Sequence, residues 1–291
     1  MYITLRMIVM SKKKFKRSIL IVCEGTKTEY DYFNYIGRNI SIPKGIWDIV
    51  DVSTNTTIPN DIAIPPPTLL GARKKKHFVN PNKKKIPERN IMKELCIYLY
   101  GEDNGVEKYE DVKAVPLRYV ALAQMIEEEK GMYEELWAVF DKDDHSHHKE
   151  AYEKAEEEVN GKKVNIGFTS RSFEHWLLLH FEKNKNEFLI TECKDENDKV
   201  IGCNKTLGCQ GAECLCGYIR VNTPLEDYSK SKNPEDFHTM MEMLLGNLSN
   251  AFENAECLRE EISNDANLNT KPHYELNPYT DVDLLIKRLV D

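Results

Sequence analysis

A chain of 291 residues that is 41% hydrophobic, with three Trp and ten Phe, has enough apolar material for one sizeable core or two modest ones, which excludes a disordered or fibrous protein. Its formal net charge of −8 excludes a general attraction to nucleic acid or an anionic membrane, so any polyanion has to meet a local basic patch. No apolar run approaches the roughly 18 residues needed to span a bilayer, and the first ten residues lack a signal-peptide cleavage pattern, so a cytoplasmic protein without a membrane partner is expected.

Residues 1–16 form a basic segment ending in Lys12, Lys13, Lys14 and Lys16, with Arg17 next. Ile19 to Cys23 is an unbroken, largely β-branched apolar run, as expected of a central strand in a parallel sheet covered on both faces. Gly25 permits a sharp turn, Thr28 can cap a helix with Asp31 three residues on, and Tyr30, Phe33 and Ile36 fall at helical spacing. Ile46 to Val52 alternates like a second strand. Residues 53–90 are irregular, rich in Pro and Asn, and include Arg73, Lys74, Lys75, Lys76 and Lys83 to Lys85. Residues 91–100 are apolar again, and Pro116 opens a helix that Gly131 stops.

Glu135 to Asp141 reads as a strand ending in acid, followed by a polar loop to His148, a helix over 150–159 and a strand over 164–168. Ser170 or Ser172 then caps a helix through Phe173, Trp176, Leu177 and His180. Residues 183–234 are polar and Cys-dense, Pro234 to Ser263 reads as one helix, residues 265–278 as a linker, and Thr280 caps a last helix over 281–290. This order predicts an α/β core over 17–182, a Cys-rich insertion over 183–234 and a mainly helical part over 235–291 that packs on the core.

Glu24, the pair Asp141 and Asp143, and Glu174 all fall at or just beyond predicted strand ends. Parallel strands end on the same side, so these carboxylates can converge on one crevice. Such a set can bind Mg²⁺ or Mn²⁺ for phosphoryl transfer. A lone Asp-x-Asp is more often a solvated turn, but buried runs precede both Glu24 and Asp141. Glu174 reads equally as a metal or supporting carboxylate and as a favourable charge at a helix N-terminus.

Glu24-Gly25 after a first strand and Asp141-x-Asp143 after a later one resemble the Toprim domain of topoisomerases, primases and OLD-type nucleases. More specifically, Cys23-Glu-Gly-Thr-Lys-Thr-Glu29 with Tyr32-Phe33, Val139-Phe-Asp-Lys-Asp-Asp-His145, Ser172-Phe-Glu-His-Trp-Leu-Leu-Leu-His-Phe181, Tyr228-Ser-Lys230 and Asn277-Pro-Tyr-Thr-Asp-Val282 resemble the RloB-like family, in that order. The resemblance runs from about residue 17 to the end. It implies a Toprim-like, Rossmann-type parallel sheet flanked by helices, and a metal-dependent nuclease of a prokaryotic anti-phage locus working beside an AAA- or ABC-type ATPase on DNA or RNA. It gives Glu24 the role of general acid/base or metal ligand, Asp141 and Asp143 the metal aspartates, Glu29 the second glutamate that holds a second ion, and Lys230 an offsetting charge at the phosphate. Where the family usually carries Asn-Pro, Ser170-Arg171 stands, which makes Arg171 either a phosphate contact or part of a different turn.

Other signals carry competing readings. His145 fits the family motif, whereas His147 and His148 read as a solvated loop. Cys203, Cys209, Cys214 and Cys216 have the density of a Zn²⁺ knuckle in a segment with no core of its own, but lack a paired C-x2-C; the alternative is thiols on a loop. Lys12, Lys13, Lys14, Arg17, Lys74 and Lys75, with Lys230, are the candidate nucleic-acid groove, and Tyr98, Tyr100 and Tyr109 read either as stacking platforms or as core. Two other functions compete: an adaptor or sensor that binds nucleic acid for an ATPase without catalysis, and a phosphatase built on Asp141-x-Asp143. In the latter, His145 stands where Thr or Val is expected and Glu24 has no role.

Overall fold

The computed structural model describes residues 18–24, 28–39, 46–51, 91–193, 214–229 and 234–290. The sequence readings on Lys12, Lys13, Lys14, Arg17, the 53–90 insertion with Lys74 and Lys75, Cys203, Cys209 and Lys230 lie outside these residues. Strands β1 (Ser18–Cys23), β2 (Ile46–Asp51), β3 (Glu135–Asp141), β4 (Val164–Ser170) and β5 (Tyr279–Thr280) form one sheet in the order β2-β1-β3-β4-β5. All neighbours are parallel except β5, which runs antiparallel to β4.

The unbroken apolar run of β1 serves two cores, because successive side chains leave a strand on opposite faces. Ile19, Ile21 and Cys23 join Trp137 and Val139 of β3 in one cluster with helices α1 (Thr28–Asn39), α6 (Glu174–Leu179), α7 (Leu215–Asn222), α8 (Pro234–Gly246), α9 (Leu248–Asn264) and α10 (Val282–Val290). Leu20 and Val22 join Leu136, Ala138 and Phe140 in the other, beneath α2 (Ile91–Tyr100), α4 (Leu117–Lys130) and α5 (His148–Ala155), with α3 (Glu102–Val112) packed on α2. Among the described residues, no helix is long and apolar enough to cross a membrane.

Several elements differ from the sequence expectation. The buried stripe of α1 is Glu29, Tyr32, Phe33 and Ile36, not one led by Tyr30, so an acid opens the face that packs inward. The single helix expected over 234–263 breaks at Asn247, whose side-chain amide donates to the Met243 carbonyl (2.9 Å) and whose N–H reaches back only three residues, to Leu244. Helix α5 ends at Ala155 rather than Val159. Val159 instead pairs with Lys162 across Asn160 and Gly161, both at positive φ (50° and 71°), as a tight Asn-Gly turn requires. The end of the Cys-dense segment joins the shared core: Cys214 and Cys216 are buried at the start of α7, where the Cys214 sulfur accepts the Gly217 N–H. Helix α3 lies where the sequence reading assigned no element; its Gly105 sits so close to α2 that a β-carbon there would come within 2.5 Å of the Ile97 Cα.

The C-terminal part completes the sheet. Arg259 of α9 forms a two-pronged ion pair with buried Asp283 and donates to the Thr280 carbonyl (2.8 Å), while Asp281 accepts the Phe168 N–H of β4 (2.6 Å). Burial pushes the Asp281 carboxyl up to about 7, and burial holds the His175 and His180 imidazoles down at about 4. Between pH 4 and 7 the folded chain therefore binds more protons at Asp281 than the unfolded chain, so this contribution to stability grows as pH falls. The two histidines act in the opposite sense, contributing stability above about pH 6.5 that is lost toward pH 4. Asp281→Asn keeps the acceptor but removes the titration. Its unfolding free energy, from denaturant titrations, should fall more steeply from pH 7 to pH 4 than that of the parent, by an amount on the order of 2–4 kcal/mol across the window. Parallel curves would refute the assignment.

Candidate metal centre at the carboxyl ends of β1 and β3

From β1 the chain moves to β2 on one side and later to β3 on the other, so the crevice between the carboxyl ends of β1 and β3 is where the winding of the sheet reverses. In open α/β sheets, ligands settle at such a switch point. Glu24 is the first residue beyond β1. Its N–H donates to the Val139 carbonyl (2.9 Å), its Oε2 accepts the Asp141 N–H (3.0 Å), and its Oε1 lies 2.8 Å from His145 Nε2. One carboxylate thus holds the end of β3 and the turn beyond it.

Asp141, the last residue of β3, is buried, and its Oδ1 has no hydrogen-bond partner. Asp143 has φ 26°, outside the relaxed range of a non-glycine residue. The turn is held by Asp143 N–H to the Arg171 carbonyl (3.2 Å), Arg171 Nη1 to the Asp143 carbonyl (2.6 Å) and Arg171 Nη2 to Asp144 (2.5 Å). Thr191 Oγ1 reaches the Asp143 carboxylate at 3.4 Å. Here Arg171 is a clamp on the aspartate turn. His148 is buried rather than solvated, its Nε2 meeting the Asp141 carbonyl at 3.0 Å, whereas exposed His147 lies beside Glu150.

Glu174 is buried at the start of α6, its Oε1 accepting the Tyr228 hydroxyl (2.8 Å) and its Oε2 the Ser172 hydroxyl (2.7 Å). Neither serine caps α6 with its side chain: Ser170 belongs to β4, and the Ser172 hydroxyl is drawn to Glu174 because a buried carboxylate needs donors more than a helix end open to other partners does. Tyr98 is exposed, and the Tyr98 and Tyr100 hydroxyls donate to Glu129 and Glu128 on α4.

Burial pushes the Asp141 carboxyl well above the ordinary carboxylate range, and the negative charges of Glu29, Asp143, Glu24 and Glu174 push it further. The other four predicted acids therefore all act on Asp141. The hydrogen bond to Glu24 raises the His145 imidazole, while burial lowers that of His148. One ligating atom each from Glu24, Asp143 and His145 lie within 4.8 Å of one another. An orphaned buried oxygen, surplus negative charge and a mixed carboxylate and imidazole donor set fit a metal cation.

A family model described as RloB-like protein matches residues 19–289. The chain belongs to the RloB-like family. No curated protein and no solved structure matches it. The RloB-like match spans both parts of the chain, as does the fold, since β5 and α10 come from the C-terminal part.

Thr191, which reaches Asp143, was not marked as a site residue in the sequence, and neither were residues of α4 or the partners of Glu174. In the first turn of α4, Arg118 acts electrostatically on His145 and Tyr119 feels the charge of Glu24, and Ser172 and Tyr228 hold Glu174 from two other segments. The one signal for the latter pair was their place in family motifs; for Arg118 there was none.

Titration of the protein with Mn²⁺ by calorimetry should show proton release and an affinity that rises with pH, because Asp141 and His145 have to shed raised protons. Glu24→Gln or Asp143→Ala should weaken binding at least about tenfold; pH-independent binding, or parent-like affinity in either variant, contradicts the assignment. Tyr228→Phe removes one donor to buried Glu174 and should cost about 1–3 kcal/mol in a denaturation experiment.

Proposed function

We propose that this RloB-like chain is a metal-dependent nuclease of the Toprim type, hydrolysing phosphodiester bonds in DNA or RNA as the effector of a prokaryotic anti-phage system with a partner ATPase. The observation that carries the reading is the convergence on one switch point of Glu24, Asp143 and His145, with the unpartnered oxygen of Asp141 beside them. The family resemblance supplies the phosphodiester substrate class and the ATPase.

Mg²⁺ or Mn²⁺ bound there would neutralise charge on the phosphate and favour deprotonation of water at neutral pH. Glu24, Asp143 and Asp141 would hold the ion, and Glu29, whose charge acts on Asp141, would support a second. The Glu24 and His145 pair, 2.8 Å apart, provides the proton relay: the water proton passes to the pair as the new O–P bond forms, and a proton returns to the leaving oxygen as the ester bond breaks. Lys230 keeps the phosphate-facing role that the resemblance gives it.

Plasmid, single-stranded nucleic acid and tRNA incubated with the chain, its ATPase and Mg²⁺ or Mn²⁺ should be cleaved. Glu24→Ala and Asp143→Ala should each lower the rate by about 10²-fold or more, the scale of losing one charge-stabilising group. Equal cleavage by Glu24→Ala, or none by the parent chain with its ATPase present, excludes the reading.

A further inference from the structure

Five acids converge on this crevice, and a phosphodiester entering it carries a further negative charge, so a substrate-binding cation is needed there. Three described basic side chains stand around the acids. Lys142 donates to the Glu275 and Leu276 carbonyls (2.9 and 3.2 Å), tying the turn to the segment before β5. Arg171 is committed to Asp143 and Asp144. Arg118 differs from both in that it forms no ion pair among the described residues: its Nη2 donates only to the Tyr119 hydroxyl (3.3 Å), while its Nε, like that of Arg171, is enclosed without a partner.

The location of Arg118 follows from the packing. Its guanidinium lies over the Tyr119 ring, 5.1 Å from the centroid, and that ring stands 6.4 Å from the ring of Phe140, the residue before Asp141. The positive charge is felt at His145, and the Tyr119 phenol is raised by burial and then by the charge of Glu24, with Arg118 opposing. Stacking on the ring fixes the plane of the guanidinium while leaving its outer edge unpaired.

We propose that Arg118 receives the non-bridging oxygens of the scissile phosphate, as the cationic counterpart of the acid cluster. The assignment deepens the phosphodiester reading and rests on it for the identity of the ligand. A planar fork of donors held at one edge suits two phosphate oxygens at once, which the point charge of a lysine does not.

Orthophosphate serves as the probe, with Mn²⁺ present and melting temperature as the readout. Phosphate should stabilise the parent chain; Arg118→Gln should lose most of that shift, and Arg118→Lys should keep part of it. Melting without phosphate checks that the variants are folded. An Arg118→Gln chain stabilised as much as the parent, or a parent that phosphate leaves unchanged, overturns the assignment. In the cleavage assay, Arg118→Gln should lower kcat by about 10²-fold with a smaller change in KM. Full cleavage by Arg118→Gln removes Arg118 and leaves the nuclease reading standing. Phosphate binding through Arg118 in a chain that cleaves nothing supports the anion site and removes the nuclease.

Discussion

The structure turns on the Glu24 carboxylate. It sits at the end of a strand buried on both faces, accepts the N–H of Asp141 from the neighbouring strand, and meets His145 from the turn beyond. A carboxylate bound on both oxygens resists displacement, so the ends of β1 and β3 hold a fixed spacing and the Asp143 turn closes over a defined volume. Buried Asp141 is the consequence. Four other acids act on it, and its Oδ1 meets no donor among the described residues.

Such a cluster is costly in isolation, because a charge removed from water without a partner raises its own pKa or attracts a cation. The surrounding structure carries that cost in separable pieces. Ser172 and Tyr228 satisfy Glu174, Arg171 and Thr191 hold the Asp143 turn, and Lys142 ties the same turn to the 273–276 segment. The C-terminal helices matter to the site for this reason. Through β5, Arg259 and Asp283 they fix the edge of β4, from which Arg171 and Ser172 depart.

The strands were legible in the sequence. A run such as Ile19 to Cys23 or Leu136 to Phe140 has only one comfortable environment, between two covered faces, and the acids that follow such runs must lie at strand ends. Terminations with a local chemical cause were legible too, such as Gly131, which ends α4 in the left-handed conformation. Elements whose stability comes from distant packing were not. Helix α7 has Leu215, Cys216 and Ile219 as its buried side, but three apolar positions in a polar, Cys-dense segment carry no period of their own. The break at Asn247 was hidden because the apolar stripe continues across it on both sides.

The sequence by itself determined the parallel core, the chain positions of Glu24, Glu29, Asp141, Asp143 and Glu174, and, through ordered motifs, the RloB-like family. These depend on local composition, strand periodicity and residue order, all of which are carried by neighbours along the chain. Tertiary structure alone decided which acid lacks a partner, which are satisfied, and which cations are already committed. Those outcomes depend on contacts between residues such as Glu24 and His145, or Glu174 and Tyr228, that are far apart in the chain. Arg118 marks the limit of the one-dimensional reading: an arginine in a helical turn has no special signature until the fold brings its charge within reach of His145 and leaves its Nε without a partner.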